Sequence, residues 1–231
     1  MLPTLRITRA DIDADGFYIG ETDVSEKPFP GHIEIASNLG TVRFRFSVQA
    51  SGRIVALAGS GIVADWNISA GSNIIADRDV TAGEGITAGS NIIAGDGIKA
   101  GRNISAGGGI KAGSGIKAGD GIEAGWDIKA GEGITAGSCI LAGWGISAGE
   151  GITAGDGILV GLTIVAKWVS ARLRIFAGLC AWKIPAQAEM EISAEIRSGT
   201  VAFGVVSHGR TLVPAEDLAQ QPPRSMACRR L

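Results

Sequence analysis

Residues 94–111 read AGDGIKAGRNISAGGGIK, and residues 130–147 read AGEGITAGSCILAGWGIS. Each stretch is three copies of one hexapeptide, A-G-x-(G/N)-I-x, with small departures. An aliphatic residue recurs every six positions from Ile62 to Ile164, so the repeat spans the middle of the chain. A fixed short period indicates a repeat architecture in which each unit packs on its neighbours, rather than an ordinary layered core.

Each hexapeptide predicts one short strand followed by one corner. In the I-x-A segment the Ile and the Ala lie two residues apart, so both point to one side and the middle residue points to the other. Gly, Asn or Asp precedes nearly every Ile, and we expect these residues to take left-handed backbone conformations at the corners. Such short strands can wind into a coil in which each one pairs with its equivalent one coil later.

The variable positions repeat better at eighteen residues than at six. Trp126, Trp144 and Leu162 are eighteen apart, as are Lys99 and Lys117. Three hexapeptides per coil make a triangular prism. The sequence therefore predicts an all-β fold, a single-stranded parallel β-helix (triangular solenoid) with about 18 residues per coil and capping segments at both ends. Residues 58–165 would form about six coils, a rod about 29 Å long.

Composition and patterning divide the chain into four parts. They are an N-terminal cap over 1–41, the solenoid over 42–178 with its regular repeat over 58–165, a C-terminal β cap over 179–213, and a disordered tail over 214–231. Residues 42–50 alternate, which predicts one strand with Phe44 and Phe46 on the same face. Residues 190–196 and 200–206 predict two strands bounded by a turn at Ser198 and Gly199.

Charge and targeting features narrow the class of partner and the compartment. The formal net charge of the 231 residues is −2, so neither nucleic acid nor an anionic membrane is an expected partner. The N-terminal residues lack the pattern of a signal peptide, and three basic residues interrupt the apolar stretch 158–182, so we expect no membrane span. Three scattered cysteines without a C-x-x-C spacing favour a reducing compartment. A cytoplasmic location is expected.

The repeat resembles that of two known families. Residues 67–70 and 103–106, both Asn-Ile-Ser-Ala, resemble the G-(N/D)-I-x-A repeats of bactofilins over roughly residues 54–175. That resemblance implies a right-handed triangular β-helix that polymerises end to end without nucleotide in the bacterial cytoplasm. Hexapeptide-repeat acyltransferases share the eighteen-residue coil, but they place Gly directly after the aliphatic residue, whereas here it comes three positions later.

The residues that could carry chemistry do not form a catalytic pattern. An interior of Ile and Ala leaves no room for a ligand, so function must lie on the outer surface or at the ends. An acyltransferase of this type would carry its general base on the coil surface, but His32 and His208 both fall outside the coil. Cys139 has no base within local reach that would pair with it as a nucleophile. We therefore expect no catalytic residue, cofactor, metal or small-molecule substrate.

One acidic segment keeps a metal alternative open. Residues 11–16 read DIDADG, which matches the first half of a calcium loop. Thr22 stands where the bidentate Glu of such a loop is expected, with Glu21 beside it. An acidic turn and a calcium site are both compatible with this segment, and the turn is the simpler interpretation.

An outward apolar patch is the feature that does indicate a function. Leu141 and Leu159 occupy one outward column, and Trp126, Trp144 and Leu162 occupy another three residues further along. Large exposed apolar groups usually mark contacts, so we predict a protein-interaction surface here. The alternative is that the chain's own segment 175–206 covers these side chains.

The expected function is that of a non-enzymatic structural or interaction protein, a self-associating β-solenoid scaffold that presents this apolar outer patch. Its partner would be a second copy of itself or another protein. One alternative is a phage- or mobile-element-type inhibitor that binds a host protein through a solenoid face. A second alternative is an enzyme similar to the hexapeptide-repeat acyltransferases.

The inward frame yields a first prediction. Ile116→Asp should place an unpaired carboxylate among Ile and Ala, at a cost of several kcal/mol in the free energy of unfolding. The outward neighbour offers a matched control, since Lys117→Ala should change that free energy by about 0.5 kcal/mol or less. Thermal unfolding of the two variants measures the difference. Equal melting temperatures would mean that the inward frame has been misassigned.

Overall fold

The computed structural model describes residues 2–208, and for His208 the backbone alone. Within that part of the chain, 25 strands join into one continuous sheet. In chain order they are β1 Thr4–Ile7, β2 His32–Ile35, β3 Gly40–Phe44, β4 Val48–Ala50, β5 Ile54–Ala56, β6 Ser60–Ala64, β7 Ile68–Ala70, β8 Ile74–Ala76, β9 Val80–Ala82, β10 Ile86–Ala88, β11 Ile92–Ala94, β12 Ile98–Ala100, β13 Ile104–Ala106, β14 Ile110–Ala112, β15 Ile116–Ala118, β16 Ile122–Ala124, β17 Ile128–Ala130, β18 Ile134–Ala136, β19 Ile140–Ala142, β20 Ile146–Ala148, β21 Gly151–Ala154, β22 Ile158–Val160, β23 Ile164–Ala177, β24 Glu191–Phe203 and β25 Val205–His208. Two short 3₁₀ turns accompany them, at Arg9–Asp11 and Gln187–Met190.

The strands wind into a parallel β-solenoid with three strands per coil. Each strand of the repeat pairs in parallel with the strand three before it and the strand three after it, as β10 does with β7 and β13. Ile62 pairs with Val80, and the same eighteen-residue register continues to the pairing of Ile146 with Ile164. The predicted fold class, the parallel pairing and the coil length are confirmed over this region.

Three flat faces run along the rod, and each is defined by its strands. The first face contains β6, β9, β12, β15, β18 and β21, the second contains β7, β10, β13, β16, β19 and β22, and the third contains β8, β11, β14, β17 and β20 with the start of β23. Corners of three residues join one face to the next. A residue's position on a face or a corner therefore follows from its place in the eighteen-residue coil.

Parallel pairing continues beyond the regular repeat at both ends. Ile54 pairs with Ile74, so the coil before the regular repeat has twenty residues, and β1 and β2 extend the third face further with longer spacings. Ile152 pairs with Val169, so the coil there has seventeen residues, and β24 then pairs with β23. The proposed limits of the two caps remain predictions, and the predicted tail over 214–231 lies outside the described residues.

Two strand predictions differ from the structure. Residues 42–50 do not form one strand, because β3 ends at Phe44 and a corner precedes β4. Phe44 is consequently buried, whereas Phe46 lies on that corner and is 58% exposed. Near the C-terminus one strand, β24, runs through the predicted turn, since Gly199 adopts a φ of 93° and bends the strand without ending it.

The interior of the rod is a stack of Ile and Ala. In each repeat strand the first and third residues are buried and the middle one is at least partly exposed, as in β13, where Ile104 and Ala106 flank Ser105. The coil above contributes Ile86 and the coil below contributes Ile122 to the same inward column. This column confirms the predicted inward frame.

The glycine that follows each Ala allows successive coils to approach closely. A Cβ atom built on Gly137 would lie under 3.0 Å from the carbonyl oxygen of Gly119, one coil earlier, and most glycines at this position meet the same obstacle. Positive φ values are absent between residues 60 and 177 of the described chain. The expectation that the Gly, Asn and Asp residues before each Ile take left-handed conformations was therefore wrong. For the glycine after each Ala, the reason is the close approach of the backbone one coil earlier.

The Asn and Asp residues that precede Ile link the coils through their side chains. Asn67 Oδ1 accepts a hydrogen bond of 2.9 Å from the amide of Gly85, and Asp127 Oδ1 accepts one of 3.0 Å from the amide of Gly145. These amides lie at corners, where the strand ladder does not supply an acceptor. A short polar side chain is thus used because it satisfies a backbone donor one coil away.

Two glycines near each other provide a matched test of the close approach. Gly137→Ala should lower the free energy of unfolding by about 1–3 kcal/mol, because the new methyl group forces two coils apart. Gly133→Ala should cost clearly less, because the nearest atom to its Cβ would be the Gly151 carbonyl oxygen at 3.3 Å, which needs to move by only a few tenths of an ångström. Denaturant unfolding of both variants measures the difference. Equal losses would contradict the assignment of this glycine to close packing.

Candidate interaction surface

Three large side chains stack on the corner between the second and third faces. The amide of Trp144 donates to the carbonyl of Trp126 at 3.2 Å, and the amide of Leu162 donates to the carbonyl of Trp144 at 2.7 Å. These residues therefore occupy the same position on three successive coils, as the sequence predicted. Trp126 is 57% exposed and Trp144 is 46% exposed.

The neighbouring column on the second face widens the apolar area. Leu141 pairs in register with Leu159 there, and Leu159 is exposed while Leu141 is half-buried. The rings of Trp126 and Trp144 stack with centroids 6.2 Å apart and planes at 24°. We call this group the tryptophan patch. Its members are the five predicted residues, which are Trp126, Leu141, Trp144, Leu159 and Leu162.

The structure brings all five together on adjoining columns of three successive coils. Their role as a contact surface remains a prediction.

The segment that follows the repeat adds to the tryptophan patch. Trp182 lies beyond the last regular coil, and its ring centroid is 6.5 Å from that of Trp144 with the planes at 37°. Trp182 is itself 57% exposed, so within residues 2–208 it enlarges the apolar area more than it covers it. Sequence reasoning missed this residue because it falls outside the hexapeptide period, where no column can be assigned.

A second aromatic group lies at the N-terminal end of the corner between the first and second faces. Phe46 and Trp66 meet edge to face with centroids 6.3 Å apart, and Trp66 is 56% exposed. Nearby, the guanidinium carbon of Arg45 lies 4.4 Å from the centroid of the Phe17 ring. The sequence predicted Phe46 on the same strand face as Phe44, so this group on the corner was not predicted.

The acidic segment at residues 11–16 uses its carboxylates within the turn. Asp11 Oδ2 accepts hydrogen bonds from the amide of Thr8 at 2.7 Å and from its hydroxyl at 2.8 Å, and these bonds lower the pKa of Asp11. Asp13 Oδ1 accepts from the amides of Asp15 and Phe17. Between residues 2 and 208, groups of three or more potential metal ligands are absent. The contacts are those of an acidic turn.

The histidine and cysteine side chains considered as candidates for chemistry lie apart from one another. His32 Nδ1 accepts a hydrogen bond of 3.1 Å from the amide of Arg53 in the N-terminal coils. Cys139 lies on the corner between the first and second faces, and Cys180 is a half-buried free thiol beyond the repeat. The structure therefore places these three residues in different parts of the rod.

Comparisons with protein-family models, with curated proteins and with solved structures each returned no match. The structure supports a β-helix with coils of eighteen residues as the class of this protein. Helices long and apolar enough to cross a membrane are absent from the described residues.

Proposed function

We propose that this protein is a non-enzymatic structural or interaction protein, a β-solenoid scaffold that associates with itself through the tryptophan patch. The observation that carries the proposal is the pair of stacked and exposed rings of Trp126 and Trp144. Exposed apolar patches mark interaction sites, and Trp is among the residues that contribute most to protein–protein binding.

The shape of the rod supports the same function. Its Ile and Ala interior is closely filled, so the outer columns and the two ends are the surfaces at which another molecule can bind. The resemblance of the repeat to bactofilins, which polymerise in the bacterial cytoplasm, supports self-association and a cytoplasmic location for this chain as well. Acyl transfer would need a general base on the coil surface, where the repeat carries no histidine.

A double substitution in the tryptophan patch tests the proposal. Trp144→Arg combined with Leu162→Lys should weaken self-association by about 100-fold or more, because the interface would bury two unpaired charges. The β-rich circular dichroism spectrum should stay unchanged, since both side chains point outward. Light scattering after size-exclusion chromatography measures the mass in solution.

The control is Lys99→Ala combined with Lys117→Ala on the first face, which should leave the mass unchanged. A double mutant of the patch that melts at a lower temperature and keeps its mass would show that the patch packs inside one molecule. A wild-type protein that is monomeric at every concentration would also refute self-association.

A further inference from the structure

The second face and the corner that follows it carry almost no charge. Their twelve outward positions in the six regular coils are Ser69, Thr87, Ser105, Glu123, Leu141 and Leu159 on the face, and Ser72, Ser90, Gly108, Trp126, Trp144 and Leu162 on the corner. Glu123 is the one charged residue among them, and Asp127, the last residue of the same corner, is paired with Lys129. The first face and the corner before it, by contrast, include Lys99, Lys117, Arg78, Asp96, Glu132 and Glu150. Depletion of charge distinguishes the centre of protein interfaces from the remaining surface.

Side-chain size divides this uncharged surface into two halves. Small residues occupy the three N-terminal coils, and large apolar residues occupy most of the three C-terminal coils. The division falls between the coil that holds Ser105 and the coil that holds Glu123. The large side chains of one half could therefore pack against the small side chains of the other half.

We propose that a second copy of this chain packs antiparallel against the second face. The two copies are related by a twofold axis that lies between them, perpendicular to both rods and level with this division. Rotation about this axis reverses the order of the coils, and each column of one copy faces the same column of the other copy. Trp144 then lies over Ser90 of the second copy, and Leu162 over Ser72. Closed twofold interfaces of this kind are the commonest in soluble homo-oligomers. The inference rests on the proposed self-association.

The other corner of the second face supplies charge complementarity about the same axis. Its column contains Trp66, Glu84, Arg102, Asp120, Ser138 and Asp156. Reversal places Arg102 of each copy opposite Asp120 of the other, which makes two symmetric ion pairs. Both side chains are exposed, and the described residues show no ion pair between them within one chain. Asp156, near the end of the column, is already paired with Arg172.

A parallel arrangement of the two copies does not offer these contacts. It would place the corner that carries Trp126 against the opposite corner of the second copy, at the level of Asp120. Trp126 would then cover the carboxylate of Asp120, and Arg102 would face Gly108, so both ion pairs would be lost. Burial of unpaired charge is unfavourable. The distribution of charge therefore selects the antiparallel pair.

The area of the second face is sufficient for a specific dimer. Six coils extend about 29 Å along the rod, and one side of six residues is at most about 20 Å wide. Two such surfaces would bury about 1,200 Å² in total, at the lower end of the range for specific interfaces.

Charge reversal at two positions tests the antiparallel register. Arg102→Asp places like charges opposite each other in its own dimer, and so does Asp120→Arg, so each variant alone should dimerise about tenfold more weakly or worse. An equimolar mixture of the two should recover the affinity of the wild type, because position 102 of one chain then faces the opposite charge at position 120 of the other in both pairs. Sedimentation velocity measures the affinities.

The controls are Lys99→Asp and Glu132→Arg, which reverse exposed charges away from the second face and should leave dimerisation unchanged. If the wild type associates through the tryptophan patch but the mixture stays as weak as its components, the antiparallel register is wrong and the proposed self-association stands. If the wild type is monomeric throughout, both proposals fail.

Discussion

Parallel pairing between strands one coil apart sets the distance between every residue and its counterpart eighteen positions later. That distance, about 4.8 Å, is too short for a side chain at the corner position after each Ala, and Gly137 shows why glycine is needed there. The same spacing lets Asn67 reach the amide of Gly85 one coil later. The same spacing explains the packing of the interior, because it brings stacked Ile residues to van der Waals distance.

On the outer surface, the same pairing places residues eighteen apart next to one another, in columns of neighbouring side chains. Trp126 and Trp144 gain a stacked ring contact from it. Lys99 and Lys117, which pair in register on the first face, bring two like charges together, an arrangement that disfavours close packing against an uncharged surface. The columns thus give each face a different chemistry, although the backbone of all three is the same.

The regular coils were predictable because their period is short and uniform. The inward position of Ile104, its register with Ile122 and the stack of Trp126 on Trp144 all follow from counting. Counting fails where the period changes. Phe46 was predicted on the same strand face as Phe44 because residues 42–50 alternate, but a corner interrupts them. Trp182 could not be assigned to any column.

The sequence by itself determined the coil length, the inward frame and the membership of each outward column, because all three depend only on spacing along the chain. The tertiary structure decided why glycine occupies the corners, since the close approach joins residues eighteen apart. It also decided that Trp182 lies beside Trp144 while both stay exposed. Contacts between the repeat and an irregular segment depend on where the chain returns in space, and no local pattern encodes that position.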